Sequence, residues 1–337
     1  MIAAGVDTHK DEHVAVALDG LGQVLGELAV PASQAGYQQL TTWLDGLGED
    51  PRVGVEGAGS YGAALTEHLQ STGIPVFEVE RPRRRDRRSG KSDSIDALLA
   101  AKRVLAGDGL STPRRSGERR ALQTLLSAYQ SCVGERTRLY NQLHALHATA
   151  PAALRERIGR GGGAKLARRL IRMRNQPGAN LQETTILAVL RDLARRTKAT
   201  SETIDHYKSE ITDLVRVLHP TLLEEPGVGP INAAKLLTCD AARFKNEAAF
   251  ARTNGTAPIP ASSGKTIRHR LNRGGDRQVN AAIHMIALSR SIHHPETQAY
   301  LARRTSEGKT KREAMRALKR HLSRTLYKQL VHQPLTS

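Results

Sequence analysis

Four carboxylates in this 337-residue chain could do chemistry together. Asp7 closes the apolar run "IAAGVD", Glu56 closes "RVGVE", and Asp93 and Asp96 stand three apart in "SGKSDSIDALLAAKR" (89–103). Residues three apart on a helix are neighbours on one face. Strand ends on one edge of an α/β sheet converge on a crevice, and a helix beside that edge can complete it. Four acids gathered there repel one another unless divalent cations neutralise them, and oxygen-only ligands select Mg²⁺ or Mn²⁺. Two such ions about 4 Å apart can activate one oxygen of a phosphodiester and stabilise the other. Taken singly, each acid reads better as a surface or capping residue, and Asp93 and Asp96 would complement the dipole of a helix start. The metal reading rests on the set.

The charge distribution says what such a centre would face. Lysines and arginines number 51 against 33 acids, a net charge of +18. Residues 1–80 carry −10 and the remainder +28, an acidic module joined to a long basic surface suited to a polyanion. Binding through such a surface weakens steeply with salt. The run "RPRRRDRR" supplies Arg83, Arg84, Arg85, Arg87 and Arg88 directly before the two helix acids, as candidate nucleic-acid contacts. Aromatics are only 3% of the chain, which disfavours stacking of single-stranded bases and favours backbone contact. Two cysteines, Cys132 and Cys239, exclude a zinc ribbon and a disulfide framework and favour a reducing cytosol. His144 and His147, and the pair His293–His294, lack a third convergent ligand, so zinc is not expected there. No apolar run reaches spanning length, and the start lacks a signal-peptide pattern; no membrane partner is expected.

The elements that must position these residues follow from periodicity. Strands are expected at 2–7, 13–19, 24–30, 52–56 and 74–80, with a hairpin turn at "DGLG". Helices are expected from Ser33 to Leu47, over "GAALTEHLQSTG", and from Asp93 to about Ala106 with Ser92 as cap. The order β-β-β-α-β-α-β-α is an α/β layout with a mixed sheet. Beyond it, apolar positions at Leu122, Leu125, Tyr129, Cys132, Leu139, Leu143 and Leu146 form one a/d register, broken by Arg136. Leu190, Leu193, Ile204, Tyr207, Ile211, Leu214 and Leu218 form another, with Thr197 and Thr200 as weak members. Two such helices read as a coiled-coil hairpin or an oligomerisation arm. Between them "RGGGAKLARRLIRMRNQPG" reads as a basic loop and short helix against phosphate, or equally as a solvated linker. The expected class is α/β plus all-α, divided as residues 1–112, 113–219 and 220–337.

In the last part "PGVGPINAAKLL" has the look of a helix-hairpin-helix turn. Gly227 and Gly229 would let backbone N–H groups approach a phosphate without a clashing Cβ. "ASSGKT" is no Walker A loop, because Ile259 stands where the leading glycine is required.

Three pieces, "GVDTHKDEH", "VGVEGAGSYG" and "KSDSIDALLAAK", closely resemble the DEDD motifs of the RuvC-like domain in transposases of the insertion sequence 110 class. The "PGVGPINAAKLL" and Ser-Gly-Lys segments resemble the same family's transposase domain. The resemblance implies a ribonuclease-H/RuvC-like catalytic domain with Asp7, Glu56, Asp93 and Asp96 as Mg²⁺ ligands. It also implies a DNA recombinase that cuts and rejoins donor and target DNA, guided by a structured non-coding "bridge" RNA. The family's nucleophile is a serine five residues after a proline and just before a glycine, which from Pro258 is Ser263; Ser262 is its neighbour. Serine needs a base or metal for activation, and the resemblance implies a composite site at which Lys265, Arg268, Arg270 and Arg273 would contact the target, the arginines clamping its phosphate. An even-numbered homo-oligomer, dimer or tetramer, in a bacterial cytoplasm at the nucleoid is the matching expectation. Two other readings remain: a RuvC-like nuclease that hydrolyses branched DNA with water, and an inert transposase-derived binding protein.

Overall fold

The computed structural model describes residues 1–79, 92–113, 117–261, 269–272 and 274–332. They fall into two compact units, Met1–Ser116 and Gly117–Ser337. The first is built on a six-stranded mixed sheet of order β3-β2-β1-β4-β5-β6. Its strands are β1 (Ile2–Thr8), β2 (Glu12–Leu18), β3 (Val24–Pro31), β4 (Pro51–Glu56), β5 (Val76–Val79) and β6 (Leu110–Ser111). The first three form an antiparallel meander, while β1–β4 and β4–β5 are parallel. Three helices connect them: α1 (Gln34–Leu47), α2 (Ala63–Ser71) and α3 (Asp93–Ala106). The order of these elements up to α3 is the one the sequence periodicity predicts. The closing strand β6, two residues long, is too short for any period to reveal.

Side chains on a strand alternate between faces. Ile2, Ala4 and Val6 of β1 join Val53 and Val55 of β4 in a core with Leu40 and Leu44 of α1 and Leu65 and Leu69 of α2. Ala3 lies on the other face, with Ala100 and Val104 of α3. Helix α3 rests on the strands with almost no side chain between them. A Cβ added at Gly5 would lie 2.1 Å from the Ala97 carbonyl oxygen and 2.2 Å from the Ala101 nitrogen. The neighbouring Gly54 would meet Val104 Cγ2 at 2.5 Å. Small residues at Ala97, Ala100 and Ala101 complete the close approach, all of them buried. Gly5→Ala is therefore expected to cost about 3 kcal/mol, the upper end of ordinary overpacking. It should appear as a lowered first transition in a calorimetric scan of the full chain, and an unchanged transition would show that the helix has room to lift.

The second unit is helical. Its elements are α4 (Glu118–Thr149), α5 (Ala152–Ile158), α6 (Gly163–Arg172), α7 (Leu181–Leu218), α8 (Pro230–Thr238), α9 (Glu247–Thr253), α10 (Arg277–His293), α11 (Pro295–Ser306) and α12 (Lys311–His332). A small ribbon of β7 (Ile259–Pro260) and β8 (His269–Arg270) stands between α9 and α10. The long helices α4 and α7 pack on each other and reach two separate cores. At one end Leu143, Leu187 and Leu190 enclose Leu166 and Leu170 of α6. At the other, Leu122, Leu126, Ile211 and Val215 join α8, α10 and α12. The basic stretch between the long helices thus buries its apolar positions and leaves most of its arginines outward. Thr197 and Thr200 are buried in the seam, with their hydroxyls donating to the carbonyls of Leu193 (2.7 Å) and Arg196 (2.9 Å). That local bond satisfies a polar group at an apolar position. Among the described residues no helix is long and apolar enough to cross a membrane.

Candidate metal centre

Alternation fixes where two of the four acids point. Residues 2, 4 and 6 of β1 face α1 and α2, so Asp7 lies on the face covered by α3. By the same count Glu56, one residue beyond Val55 of β4, shares that face. Parallel pairing of Val6 with Val55 puts Asp7 and Glu56 side by side at the strand ends. The Thr8 hydroxyl ties those ends together by donating to the Glu56 carbonyl at 2.7 Å. Beyond Glu56 the chain turns through Gly57 in the left-handed region (φ 72°), where a Cβ would stand 2.9 Å from the Ser60 hydroxyl. The Ser92 side chain caps α3 by accepting from the Ile95 N–H. This start sets Asp93 and Asp96 in the first turn, and the burial of Ala97, Ala100 and Ala101 turns Asp96 toward the sheet.

Asp7, Glu56 and Asp96 are 5, 6 and 5% exposed, whereas Asp93 is open to solvent. Burial raises the Asp7 carboxyl above its ordinary range, and the negative charge of Glu56 raises it further. His9 opposes the shift, and Asp93 and Asp96 add to it. Glu56, Asp93 and Asp96 thus all bear on the charge of Asp7. Like charges brought together out of water destabilise the ionised state unless a cation compensates. The donor set fits hard divalent ions.

A fifth group belongs to the site and had no mark in the sequence reading. His9 Nε2 lies 3.2 Å from Asp7 Oδ2 and 3.3 Å from Asp93 Oδ1. The three ligand atoms lie within 4.8 Å of one another, a spacing that a single metal ion can span. The only one-dimensional signal is Asp-Thr-His at the end of a strand, where residues two apart share a side.

Of the remaining residues singled out from the sequence, Gly227, Gly229 and Arg270 are described, all in the second unit. Gly227 adopts φ 79° against α10, where a Cβ would meet the Ile286 carbonyl oxygen at 3.0 Å. Arg290 fastens that turn by donating from Nε to the Pro226 carbonyl at 2.6 Å and by pairing with Glu225. Gly229 is the N-cap of α8, with open space where a Cβ would stand. Arg270 is exposed on the ribbon, opposite Ile259. Ser262, Ser263, Lys265, Arg268 and Arg273, and the arginines Arg83, Arg84, Arg85, Arg87 and Arg88, lie outside the described residues.

The base of the ribbon is held by residues that sequence reading did not single out. Asn254, wholly buried, donates through Nδ2 to the Ser323 hydroxyl at 3.0 Å. Its carbonyl accepts from Asn280 Nδ2 at 2.6 Å, and Lys319 Nζ donates to Asn280 Oδ1 at 2.7 Å. The Asp276 N–H donates to the Thr253 carbonyl at 2.6 Å. The two short strands β7 and β8 thus stand next to an anchored base.

Comparison with known proteins gives a consistent answer. Residues 4–149 match a family model of the DEDD type from IS110, described as a transposase. Residues 219–302 match one described as the transposase IS116/IS110/IS902 family. The uncharacterized 43.6 kDa protein of insertion element IS110 from Streptomyces coelicolor is 32% identical over 43% of this chain and 37% of its own length. The uncharacterized 42 kDa protein of insertion element IS900 from Mycobacterium paratuberculosis is 26% identical over 99% of this chain and 98% of its own.

Proposed function

Proceeding from these matches, which support a transposase of the IS110 class, we propose that the chain is a DNA recombinase that excises and inserts an insertion element. One observation carries the reading: Asp7 and Glu56 stand at the ends of adjacent parallel strands, and Asp93 and Asp96 open the helix packed on those strands. The strand order β3-β2-β1-β4-β5, with α3 laid across β1 and β4, supports a ribonuclease-H/RuvC-like assignment for residues 1–112.

Asp7, Glu56, Asp93 and Asp96 would hold Mg²⁺ or Mn²⁺. Bound there, such ions supply charge stabilisation at the oxygens of a phosphodiester. The chain's own part is to fix the ligands on a rigid sheet edge, keep three of them out of water, and bring DNA to them. Ser263 is the nucleophile: its Oγ loses a proton and bonds to phosphorus, and the displaced strand leaves with its oxygen protonated. The phosphoserine bond keeps the energy of the broken one, so a hydroxyl of the second strand can later displace Ser263 without ATP. Arg268, Arg270 and Arg273 hold the phosphate, with Lys265 beside them. The arginines at 83–85 and 87–88 and the Gly227–Gly229 turn, read as a helix-hairpin-helix contact, hold the backbone. The helical segment 113–219 serves assembly into a dimer or tetramer, and a bridge RNA selects donor and target, as the resemblance implies.

The test is a strand-joining assay with labelled donor and target DNA and the RNA encoded beside the gene. Joined product should form with Mg²⁺ or Mn²⁺ and stop on chelation with EDTA. Full joining in EDTA would refute the carboxylate centre. Cut but never joined DNA would favour the hydrolytic nuclease.

A further inference from the structure

We infer that His9 is a ligand of the cation held by Asp7 and Asp93, and that its nitrogen turns this position toward Mn²⁺ and away from Mg²⁺. The inference rests on the metal reading above and adds a donor of a different chemical kind to it. His9 follows directly on β1, and its N–H donates to the Glu12 carbonyl at 3.1 Å, so the tight turn into β2 fixes its backbone. Its side chain is 52% exposed and gains little from burial. Yet a single nitrogen, Nε2, is shared between two carboxylate oxygens at 3.2 and 3.3 Å. These three donor atoms, all within 4.8 Å of one another, are the ones that would hold the cation. In the metal-free protein the Nε2–H group can instead donate to the two acids, occupying the position that the cation takes.

The chemistry of the donor sets the preference. Mg²⁺ is a hard ion that dehydrates reluctantly and takes oxygen ligands. Imidazole suits the later first-row ions, and affinity for a site containing nitrogen rises from Mn²⁺ toward Co²⁺ and beyond. A centre of Asp7, Asp93 and His9 therefore differs in kind from one built on Glu56 and Asp96, which offer oxygen alone.

The experiment uses the full chain, the ions alone, and calorimetric titration at one pH. Wild type, His9→Ala, His9→Gln and Asp7→Asn are each titrated with Mn²⁺ and with Mg²⁺, and visible absorption is recorded with Co²⁺. Because His9 is half exposed, its variants should keep the wild-type circular dichroism. His9→Ala should weaken Mn²⁺ roughly tenfold or more, a loss on the scale of a removed ligand or its support, and Mg²⁺ clearly less. His9→Gln, with an oxygen donor, should narrow the preference further toward Mg²⁺. The Co²⁺ bands should shift in both. An unchanged Mn²⁺ to Mg²⁺ ratio in His9→Ala, with binding still lost in Asp7→Asn, would overturn the role of His9 while leaving the metal centre standing. If wild type binds neither ion, the metal reading falls and the inference falls with it.

Discussion

Asp7→Asn is expected to abolish strand cleavage and, without cations, to make the protein more stable rather than less. The substitution keeps the shape of the side chain and removes its charge. Loss of an anionic ligand should reduce cleavage roughly 10³-fold or more, the scale on which single charge-stabilising groups matter in catalysis. Stability moves the other way, because the Asp7 carboxyl is buried and Glu56, Asp93 and Asp96 all oppose its ionisation. Its affinity for a proton is higher folded than unfolded, so its favourable contribution is complete below the ordinary carboxylate pKa. That contribution is lost as pH rises through the raised folded value. Above the raised folded value wild type carries the full penalty and the asparagine variant does not. The gain of the variant should therefore be absent in acid, grow through the carboxylate range, and then level off. Saturating Mn²⁺ should reverse the order, since only wild type has the intact site to which the ion binds in the folded state. Thermal melts at acid and neutral pH, in EDTA and in Mn²⁺, check each part. A variant less stable than wild type in EDTA at neutral pH would show that the acids are not in conflict.

Ser263→Ala should eliminate strand exchange altogether. It removes one oxygen, so the fold, the carboxylate centre and RNA binding should survive. On the proposed mechanism Ser263 Oγ would form the covalent intermediate, and its loss could not be compensated by metals or by binding. A hydrolytic enzyme would lose little, because its attacking oxygen comes from solvent. Wild type and variant are incubated with labelled donor and target DNA, divalent ion and guide RNA, and protein-linked DNA is sought after denaturation. Wild type should give an adduct and Ser263→Ala none. An adduct that persists in Ser263→Ala and vanishes in Ser262→Ala would move the role one residue upstream. Cutting by both proteins with no adduct in either would establish hydrolysis.

Local pattern made much of the first unit legible. The meander, the Ser92 cap and the placing of acids at the ends of β1 and β4, Asp7 next to last and Glu56 last, are all written in alternation, turn residues and capping. The convergence of Asp7 with Glu56 could be argued because parity and parallel pairing decide it. His9 could not, since its place depends on how the β1–β2 turn aims one ring between two acids. The anchor beneath the ribbon was equally hidden. Asn254 ends α9, Asn280 lies on α10 and Lys319 and Ser323 on α12, so they meet only through tertiary packing. The two seam threonines looked weak as apolar members, yet both are buried because their hydroxyls bond within their own helix.

The glycine floor under α3 has a genetic consequence. A methyl group at Gly54 would strike Val104 Cγ2 and Val79 Cγ2, which are side-chain atoms that a second mutation such as Val104→Ala can remove. The same group at Gly5 would strike a carbonyl oxygen and an amide nitrogen, and no substitution on the helix deletes those. Defects at Gly54 should thus be open to second-site suppressors on α3 and β5, while defects at Gly5 should be recovered only by reversion. The spacing between the strand acids and the helix acids is set by main chain against main chain. It is heritable without being adjustable, so drift can remodel the rest of the helix while these two residues of the floor differ sharply in what they forgive.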